Sequence, residues 1–236
     1  MIISKSQSAF VPKRQISDNI ILAFETIHAM KCRRGKRVPR CALKLDMAKA
    51  YDRVEWNFIC KMMEKLGFPD EFIKLVFECI STVSYSLIRH GAVEGNIIPQ
   101  RGIRQGDPLS PYLFLICARG FSTLLKQAEL SGDIKGIEVA RGAPPISHLF
   151  FAYDSLLFLE ATPQACRNLK RVFEIYEMAA GQKINLDKSA IAFSPSTPMQ
   201  LRNEVSSILA IPIVEFHEKY LGLPTVIGRK KKDCFN

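Results

Sequence analysis

Two short apolar regions, each with an aspartate at one end, restrict the fold of this chain more than any other sequence feature. The first is a predicted strand that ends on Asp46. The second is a predicted β-hairpin whose strands, 147–152 and 155–160, are separated only by Tyr153 and Asp154. Short apolar runs bounded by turn residues are typical of buried strands. If these strands are neighbours in one sheet, the two carboxylates meet at one end of it.

Helical periodicity surrounds these strands. Apolar residues at helical spacing, with glycine or proline at the ends, predict four helices over residues 56–66, 72–80, 107–128 and 162–181. The third of these is predicted to start at an Asp107-Pro108 cap. A second hairpin is predicted from strands at 85–89 and 97–100 around a Gly91-to-Gly95 turn, and a last strand at 190–193. Strands mixed with helix pairs and hairpins, without repeats or a linker, predict one α+β unit.

The positive charge of the chain is concentrated in two segments. The chain has 33 Lys and Arg against 23 Asp and Glu, and the excess lies in Lys31–Lys44 and Arg229–Lys232. Basic patches of this kind suit a polyanion such as nucleic acid. A solvated loop is the alternative for either segment. The candidate phosphate contacts of the first segment are Arg33, Arg34, Lys36 and Arg37.

The two aspartates also suggest a chemistry. Converging carboxylates on rigid strands are ligands that Mg²⁺ prefers, together with substrate phosphates. Two such ions about 4 Å apart activate an attacking hydroxyl and stabilise a leaving oxygen in phosphoryl transfer. The alternative is purely structural: Asp46 caps the turn after its strand, and Asp154 is a hairpin turn residue.

Longer segments around these residues resemble a known family. They read Gln7-Ser-Ala-Phe-Val-Pro-Lys-Arg14-Gln-Ile-Ser-Asp18-Asn, Leu43-Lys-Leu-Asp46-Met-Ala-Lys-Ala-Tyr51-Asp52-Arg-Val, Arg101-Gly-Ile-Arg-Gln105-Gly106-Asp107-Pro-Leu-Ser-Pro-Tyr-Leu-Phe, His148-Leu-Phe-Phe-Ala-Tyr153-Asp154-Ser-Leu-Leu-Phe, Gly181-Gln-Lys-Ile-Asn185-Leu-Asp-Lys188-Ser and Tyr220-Leu-Gly-Leu-Pro-Thr. In this order they resemble the fingers motif, motifs A, B, C and D and the following segment of reverse transcriptases. The residues of these motifs are similar to those of plant LINE-type (non-LTR) retrotransposons.

The resemblance implies a fold, partners and a location. The fold is a reverse-transcriptase palm, an antiparallel sheet backed by helices, with part of the fingers. Residues 1–40 correspond to a partial fingers segment and 41–236 to the palm with the start of the thumb connection, so we expect a truncated domain. The partners are an RNA template, a DNA primer and deoxynucleoside triphosphates. Without an apolar leader or a bilayer-length apolar run, we expect an intracellular chain that uses no membrane; the family implies the nucleus.

The resemblance also assigns roles to catalytic residues. Asp46 matches the motif A ligand of Mg²⁺, and Asp154 matches the second, less central aspartate of motif C. Tyr153 stands at the position of the first motif C aspartate, which binds the metal together with Asp46. Tyr51 matches the steric gate under the incoming sugar, whose aromatic ring excludes a ribose 2′-OH; its alternative is an ordinary core tyrosine. Lys188 matches the motif D lysine near the incoming triphosphate, a candidate acid for departing pyrophosphate. Its alternative is an ordinary surface lysine.

Three further positions match the binding surfaces of the family. Gln105 and Gly106 match the loop that shapes the nucleotide and template pocket, where glycine lets the backbone approach a ligand. Arg14 matches a fingers position that contacts template. The residue before it is Lys13, where the family usually has glycine.

One departure from the family pattern concerns the metal site. Motif C of the family carries two consecutive aspartates, whereas this chain has Tyr153 followed by Asp154. A phenol has a pKa near 10 and is a poor Mg²⁺ ligand at neutral pH. Losing a unit charge about 4 Å from a divalent ion forfeits about 8 kcal/mol at an effective dielectric constant of 20, before water compensates. We therefore expect a catalytically dead site.

Three functional hypotheses remain open from the sequence. The first is an RNA-directed DNA polymerase domain that extends a primer by two-metal nucleotidyl transfer. The second is a non-catalytic remnant whose basic segment still binds nucleic acid, which would show salt-dependent binding without primer extension. The third is a decayed product without a selected function, for which a broad, non-cooperative melt is expected.

Overall fold

The computed structural model describes residues 2–32, 38–215, 219–221 and 223–224 of the 236-residue chain. Helices and strands are mixed along the chain, as the sequence predicts. The elements are α1 (Ile16–Cys32), β1 (Arg40–Leu45), α2 (Trp56–Lys65), α3 (Asp70–Ser81), β2 (Tyr85–Arg89), β3 (Ala92–Ile97), α4 (Ser110–Leu130), β4 (His148–Phe151), β5 (Asp154–Glu160), α5 (Pro163–Ala180), β6 (Ala190–Phe193), α6 (Met199–Leu209), β7 (Lys219–Tyr220) and β8 (Leu223–Pro224).

The main sheet has four antiparallel strands in the order β4-β5-β1-β6. The β1 strand is therefore central, and it pairs with β5 from Arg40 opposite Glu160 to Leu45 opposite Ser155. This pairing confirms the predicted α+β fold with an antiparallel sheet. It also confirms that the strands carrying the two aspartates are neighbours.

The two faces of the sheet pack against different helices because side chains alternate along each strand. On one face, Leu43 and Leu157 belong to the same buried cluster as Phe121 of α4 and Phe173 of α5. On the other face, residues such as Phe158 pack with α1 and with the β7–β8 hairpin. Helices α4, α5 and α6 thus cover one side of the sheet, and α1 covers part of the other.

A second hydrophobic cluster lies beside the sheet. It joins α2, α3 and the first half of α4 through buried residues such as Ile59, Met63, Val76 and Leu113. The β2–β3 hairpin projects from this region with nearly every side chain exposed. The boundary between fingers and palm, predicted at residue 40, stays a prediction. Among the described helices, none is long and apolar enough to cross a bilayer.

The start of helix α4 differs from the prediction. The helix begins at Ser110, with Pro111 in its first turn, and not at the Asp107-Pro108 pair. The Asp107 carboxylate instead accepts a hydrogen bond from the Leu109 N–H over 2.7 Å. Asp107 therefore stabilises the turn before the helix, because aspartate hydrogen-bonds backbone two residues ahead as readily as it caps a helix.

The β2–β3 hairpin is also tighter than predicted. Arg89 pairs with Ala92, so the turn consists of His90 and Gly91 and does not extend to Gly95. Gly95 instead lies inside β3 at φ +73°, where the pairing register shifts. Glycine in a strand often marks a bulge of this kind, which explains the misplaced turn.

The tip of the motif C hairpin is displaced by one residue. Phe151 pairs with Asp154, so the turn residues are Ala152 and Tyr153, and Asp154 is the first residue of β5. The positive φ of the turn falls on Ala152, at +53°. The prediction that Tyr153 and Asp154 form the tip was therefore wrong by one position. The period-2 pattern specifies the strands but does not fix which two residues form the loop.

Candidate functional site

Asp46 and Asp154 face each other at one end of the sheet. Asp46 directly follows β1, and the β1–β5 register, extended by one residue, sets it opposite Asp154. Opposed residues of antiparallel strands have Cα atoms about 4.5 to 5.5 Å apart. The fold therefore brings together the two carboxylates that the sequence singled out. Their role as metal ligands stays a prediction.

The Asp154 carboxyl lies in a mixed electrostatic environment. Burial raises its pKa, the Lys44 ammonium lowers it, and the Asp46 carboxylate raises it again. Lys44 lies two residues before Asp46, so the alternation of β1 sets both on the same face of the sheet. A cation therefore already interacts with Asp154, and the site is less anionic than two carboxylates alone would make it.

Two tyrosines interact electrostatically at the motif C turn. Tyr153 occupies the hairpin turn with 48% of its side chain exposed. Tyr51 is half-buried, and its ring stacks on Phe114 of α4 with centroids 5.3 Å apart. Burial raises the pKa of Tyr51, and the nearby Tyr153 phenol raises it further. The predicted gate residue therefore lies beside the motif C turn, and its stacking also fits the alternative of a packed core tyrosine.

The loop after Asp46 is held by the segment that follows α5. Asp46 donates its N–H to Ser189 Oγ over 3.1 Å, and its carbonyl accepts from the Asn185 N–H over 2.8 Å. Gln182 Nε2 donates to the Ala50 carbonyl over 2.7 Å. Motif D thus packs directly on motif A. Lys188 is exposed on this segment, and its role near a triphosphate stays a prediction.

The motif B loop packs on the same motif A loop. Gly102 donates its N–H to the Val54 carbonyl over 2.8 Å, and Ile103 donates to the Tyr51 carbonyl over 2.9 Å. Gln105 and Gly106 follow in an exposed turn, where Gly106 has φ +90° and a Cβ would meet no atom within 4 Å. Open space beside this backbone is compatible with the predicted ligand contact, which stays a prediction.

Arg14 has a structural role that the sequence did not indicate. Its Nη1 donates to the carbonyls of Ser4 and Gln7, so it braces the N-terminal segment. Lys13 has φ +64°, a backbone conformation that glycine adopts without strain. This explains physically why the family pattern has glycine there. A template contact by Arg14 stays a prediction, and the candidate contacts Arg33, Arg34, Lys36 and Arg37 lie outside the described residues.

The residues at this site do not fit a two-ion centre. Across the described ranges, no group of three or more His, Cys, Asp or Glu side chains could hold a metal ion. Two carboxylates converge, and the position between Ala152 and Asp154 carries a phenol in place of a third. Lys44 additionally interacts with one of the two carboxylates. The donor set therefore falls short of what two divalent ions require.

Sequence reasoning missed a set of contacts behind the motif C hairpin. Gln7 and Asn19, both 2% exposed, hydrogen-bond to the backbone of Ala152 and Phe150 respectively. Both residues lie in the segment that resembles the fingers motif. Nothing in the sequence showed that their amides reach the hairpin, because the contacts span more than 130 positions.

Comparison with known proteins gives a consistent assignment. Residues 1–224 match the family described as reverse transcriptase (RNA-dependent DNA polymerase). The chain is 26% identical over 233 residues to the Pol polyprotein of the type-2 retrotransposable element R2DM of Drosophila melanogaster, covering 96% of the chain and 20% of that protein. It is 29% identical over 163 residues to a type-1 R2 Pol polyprotein of Popillia japonica, covering 69% of the chain and 26% of that protein.

The chain is also similar to a shorter relative and to two solved structures. An uncharacterised mitochondrial protein of Arabidopsis thaliana is 38% identical over 111 residues, which is 47% of this chain and 90% of that protein. Apo telomerase of Candida tropicalis, truncated from its C-terminal domain, superposes with a TM-score of 0.59 at 13% identity over 82% of this chain and 37% of its own. Telomerase of Candida albicans in complex with a telomeric RNA fragment superposes with a TM-score of 0.57 at 13% identity. The match covers 81% of this chain and 32% of the telomerase chain. At this identity the two structures show a shared fold.

Proposed function

The chain belongs to the reverse transcriptase (RNA-dependent DNA polymerase) family, and on that premise we propose that it binds nucleic acid at its palm without extending a primer. It is a reverse transcriptase domain of the non-LTR retrotransposon kind. The chain spans about a fifth to a quarter of the length of the two R2 polyproteins, and the proposal covers only the part of those proteins that it matches. Residues 1–40 are assigned here to the fingers and 41–236 to the palm.

One observation carries this proposal: the position before Asp154 holds a half-exposed phenol where a metal-binding carboxylate is needed. Reverse transcriptases as a family use divalent metal ions. Two-ion catalysis needs enough carboxylate charge to hold both ions against their mutual repulsion. Asp46 and Asp154 supply two negative charges, and Lys44 offsets part of one. Mg²⁺ binding is therefore weak and nucleotidyl transfer is lost.

The remaining residues support retained binding. Tyr51 lies beside the hairpin turn, and the Gln105–Gly106 turn is exposed on the adjoining loop. We assign Tyr51 to the sugar of an incoming deoxynucleotide and the turn to its base pair with the template. Lys188, exposed on the neighbouring segment, is assigned to the triphosphate. None of these contacts needs the missing carboxylate.

The partners proposed for this chain are an RNA template and a DNA primer strand. Telomerase, whose fold is similar, has been solved with a telomeric RNA fragment. The net charge of +10 favours a polyanionic partner. We assign the sequence-independent part of the binding to the basic segment Lys31–Lys44 and a template contact to Arg14.

The replacement Tyr153→Asp tests the proposal directly. Tyr153 is half-exposed in a turn, so the change leaves the buried strands intact and adds one negative charge beside Asp46 and Asp154. We expect the affinity for Mg²⁺ or Mn²⁺ to rise at least about tenfold, equivalent to about 1.4 kcal/mol. Isothermal titration of the parent chain and the variant with each metal measures this difference.

The control is Tyr153→Asn, which removes the phenol without adding charge and is expected to leave metal affinity within about twofold of the parent. The parent chain is also expected to bind an RNA–DNA duplex in a filter-binding assay and to show no primer extension. Equal metal affinity of the Asp and Asn variants, or primer extension by the parent, would contradict the proposal.

A further inference from the structure

The motif C turn contains an alanine in a backbone conformation that alanine does not favour. Ala152 has φ +53°, whereas two-residue hairpins with positive φ strongly prefer asparagine, aspartate or glycine at such positions. The left-handed region is unfavourable for an L-residue because its Cβ then lies too close to the following carbonyl oxygen. A turn of this kind persists only if contacts from outside the hairpin hold it.

Those contacts come from the N-terminal segment. The Ala152 N–H donates to Gln7 Oε1 over 3.0 Å, and Gln7 Nε2 donates to the Ala152 carbonyl over 3.4 Å. The same Oε1 accepts from the Ala9 N–H over 2.9 Å, which fixes the amide orientation. One buried amide thus holds both polar backbone groups of the strained residue.

The backbone on either side of Gln7 is attached to the strand that leads into the turn. Phe150 donates its N–H to the Ser6 carbonyl over 2.8 Å, and its carbonyl accepts from the Ser8 N–H over 3.1 Å. Asn19 Nδ2 also donates to the Phe150 carbonyl, over 2.8 Å, and Ser8 Oγ donates to Asn19 Oδ1 over 3.0 Å. The segment therefore adds a short parallel pairing to the free edge of β4.

From this geometry we propose that Gln7 is a positioning residue for the polymerase site. Its amide sets the Ala152 turn, and the turn sets where residues 153 and 154 lie relative to Asp46. Arg14 supports the arrangement from behind by donating to the Gln7 carbonyl. The fingers segment thus does more than border the palm: it defines the geometry of the hairpin on which the site depends.

The first experiment is independent of the proposed function. Amide hydrogen exchange is measured by NMR in the parent chain and in Gln7→Met, which removes the amide and keeps the side-chain length. We expect exchange of the Ala152 N–H to accelerate at least tenfold, while the Leu157 N–H, inside the hairpin strand, changes less than twofold. Gln182→Met is the matched control, because Gln182 is equally buried but donates to Ala50. Unchanged Ala152 exchange in Gln7→Met overturns the proposal.

The second experiment rests on the proposed function and uses Mn²⁺ affinity as the probe. In the Tyr153→Asp background, adding Gln7→Met is expected to lower the affinity at least about tenfold, back toward the parent value. Adding Ala152→Gly as well is expected to raise the Mn²⁺ affinity again at least threefold, because glycine adopts the positive φ without the Gln7 contacts. Failure of Ala152→Gly to restore the affinity would show that Gln7 does not act through the Ala152 turn.

The outcomes separate the two proposals. No gain of metal affinity in Tyr153→Asp contradicts the proposed function and leaves the exchange result to decide on Gln7. A gain that Gln7→Met does not reduce overturns the positioning role alone. If Gln7→Met does not fold, the Gln7→Met/Ala152→Gly double variant decides: recovery of a cooperative melt supports the role of Gln7, and failure to recover counts against it.

Discussion

At the scale of single residues, His148 shows how the strand leading to the site accommodates a polar side chain in the core. The imidazole is buried, with Ser122 Oγ 2.8 Å from Nε2 and Ser147 Oγ 3.0 Å from Nδ1. Burial, and to a lesser degree the nearby Lys126 ammonium, lower its pKa to about 4. A neutral imidazole donates through one nitrogen and accepts through the other, so both hydroxyls satisfy it.

This environment predicts that acid destabilises the protein through His148. The folded pKa lies below the unfolded value of about 6.5, so between pH 6.5 and 4 the unfolded state binds more protons and the free energy of unfolding falls as pH falls. Over this pH range the lowered pKa of His148 reduces the free energy of unfolding by about 3 kcal/mol. Urea denaturation from pH 7 to 4 should show this loss in the parent and a flatter profile in His148→Gln.

Subtracting the pH profile of His148→Gln from that of the parent leaves the contribution of His148 to the free energy of unfolding. Asp154, whose raised pKa acts with the opposite sign, contributes equally to both proteins and cancels. Identical slopes in parent and His148→Gln would show that the imidazole is not held neutral in the folded state.

At the scale of elements, periodicity predicted four of the described helices, α2 to α5, and most of the strands, but not where each one ends. Helix α4 and the β2–β3 hairpin were each found at the expected place with a displaced end. Asp107 and Gly95 explain the errors, because an aspartate can bind the backbone before a helix and a glycine can sit in a bulge. Helix α6 was not predicted, although its residues Val205 and Leu209 are buried.

The motif B loop offers a matched pair of glycines for a test at this scale. Gly102 and Gly106 have nearly the same φ, +89° and +90°. A Cβ at Gly102 would lie 2.7 Å from the Asp52 carbonyl oxygen, whereas one at Gly106 would meet nothing within 4 Å. Gly106→Ala should therefore cost about 1 kcal/mol for the positive φ alone. Gly102→Ala should cost about 3 kcal/mol or more, because the motif A loop must move as well.

Tryptophan fluorescence during urea denaturation measures both values. Trp56 is the only tryptophan of the chain, and its Nε1 donates to the Gly102 carbonyl over 2.6 Å. A changed native emission is expected for Gly102→Ala and not for Gly106→Ala. Equal costs for the two variants would show that the loop does not pack tightly on Asp52.

At the scale of the whole molecule, the sequence predicted which carboxylates meet but not what holds them in place. Asp46 and Asp154 were identifiable because each lies at the end of an apolar strand and antiparallel pairing brings those ends together. The supports from Gln7, Gln182 and Ser189 were not identifiable. Each joins residues more than 130 positions apart, and such contacts depend on the completed fold. Local patterns carry no signal for them.

Binding of nucleic acid by the whole chain is expected to depend on the basic segment Lys31–Lys44. Each phosphate that the protein neutralises contributes about −0.7 to −0.9 to the slope of log K against log salt concentration. If the four residues Arg33, Arg34, Lys36 and Arg37 contact an RNA–DNA duplex, replacing them all by alanine should reduce the magnitude of the slope by about 3. Fluorescence anisotropy with a labelled duplex between about 50 and 200 mM salt covers the range where such contacts dominate affinity.

A control variant separates local contacts from net charge. It removes the same number of positive charges from exposed positions on α2, α3 and α5, namely Lys61, Lys65, Lys74 and Lys170. Both quadruple variants have the same net charge, so general electrostatic attraction falls equally in the two. Only the variant of the basic segment is expected to lose the steep salt dependence. An equal loss of slope in both would show that the segment is a solvated loop and that net charge alone attracts the nucleic acid.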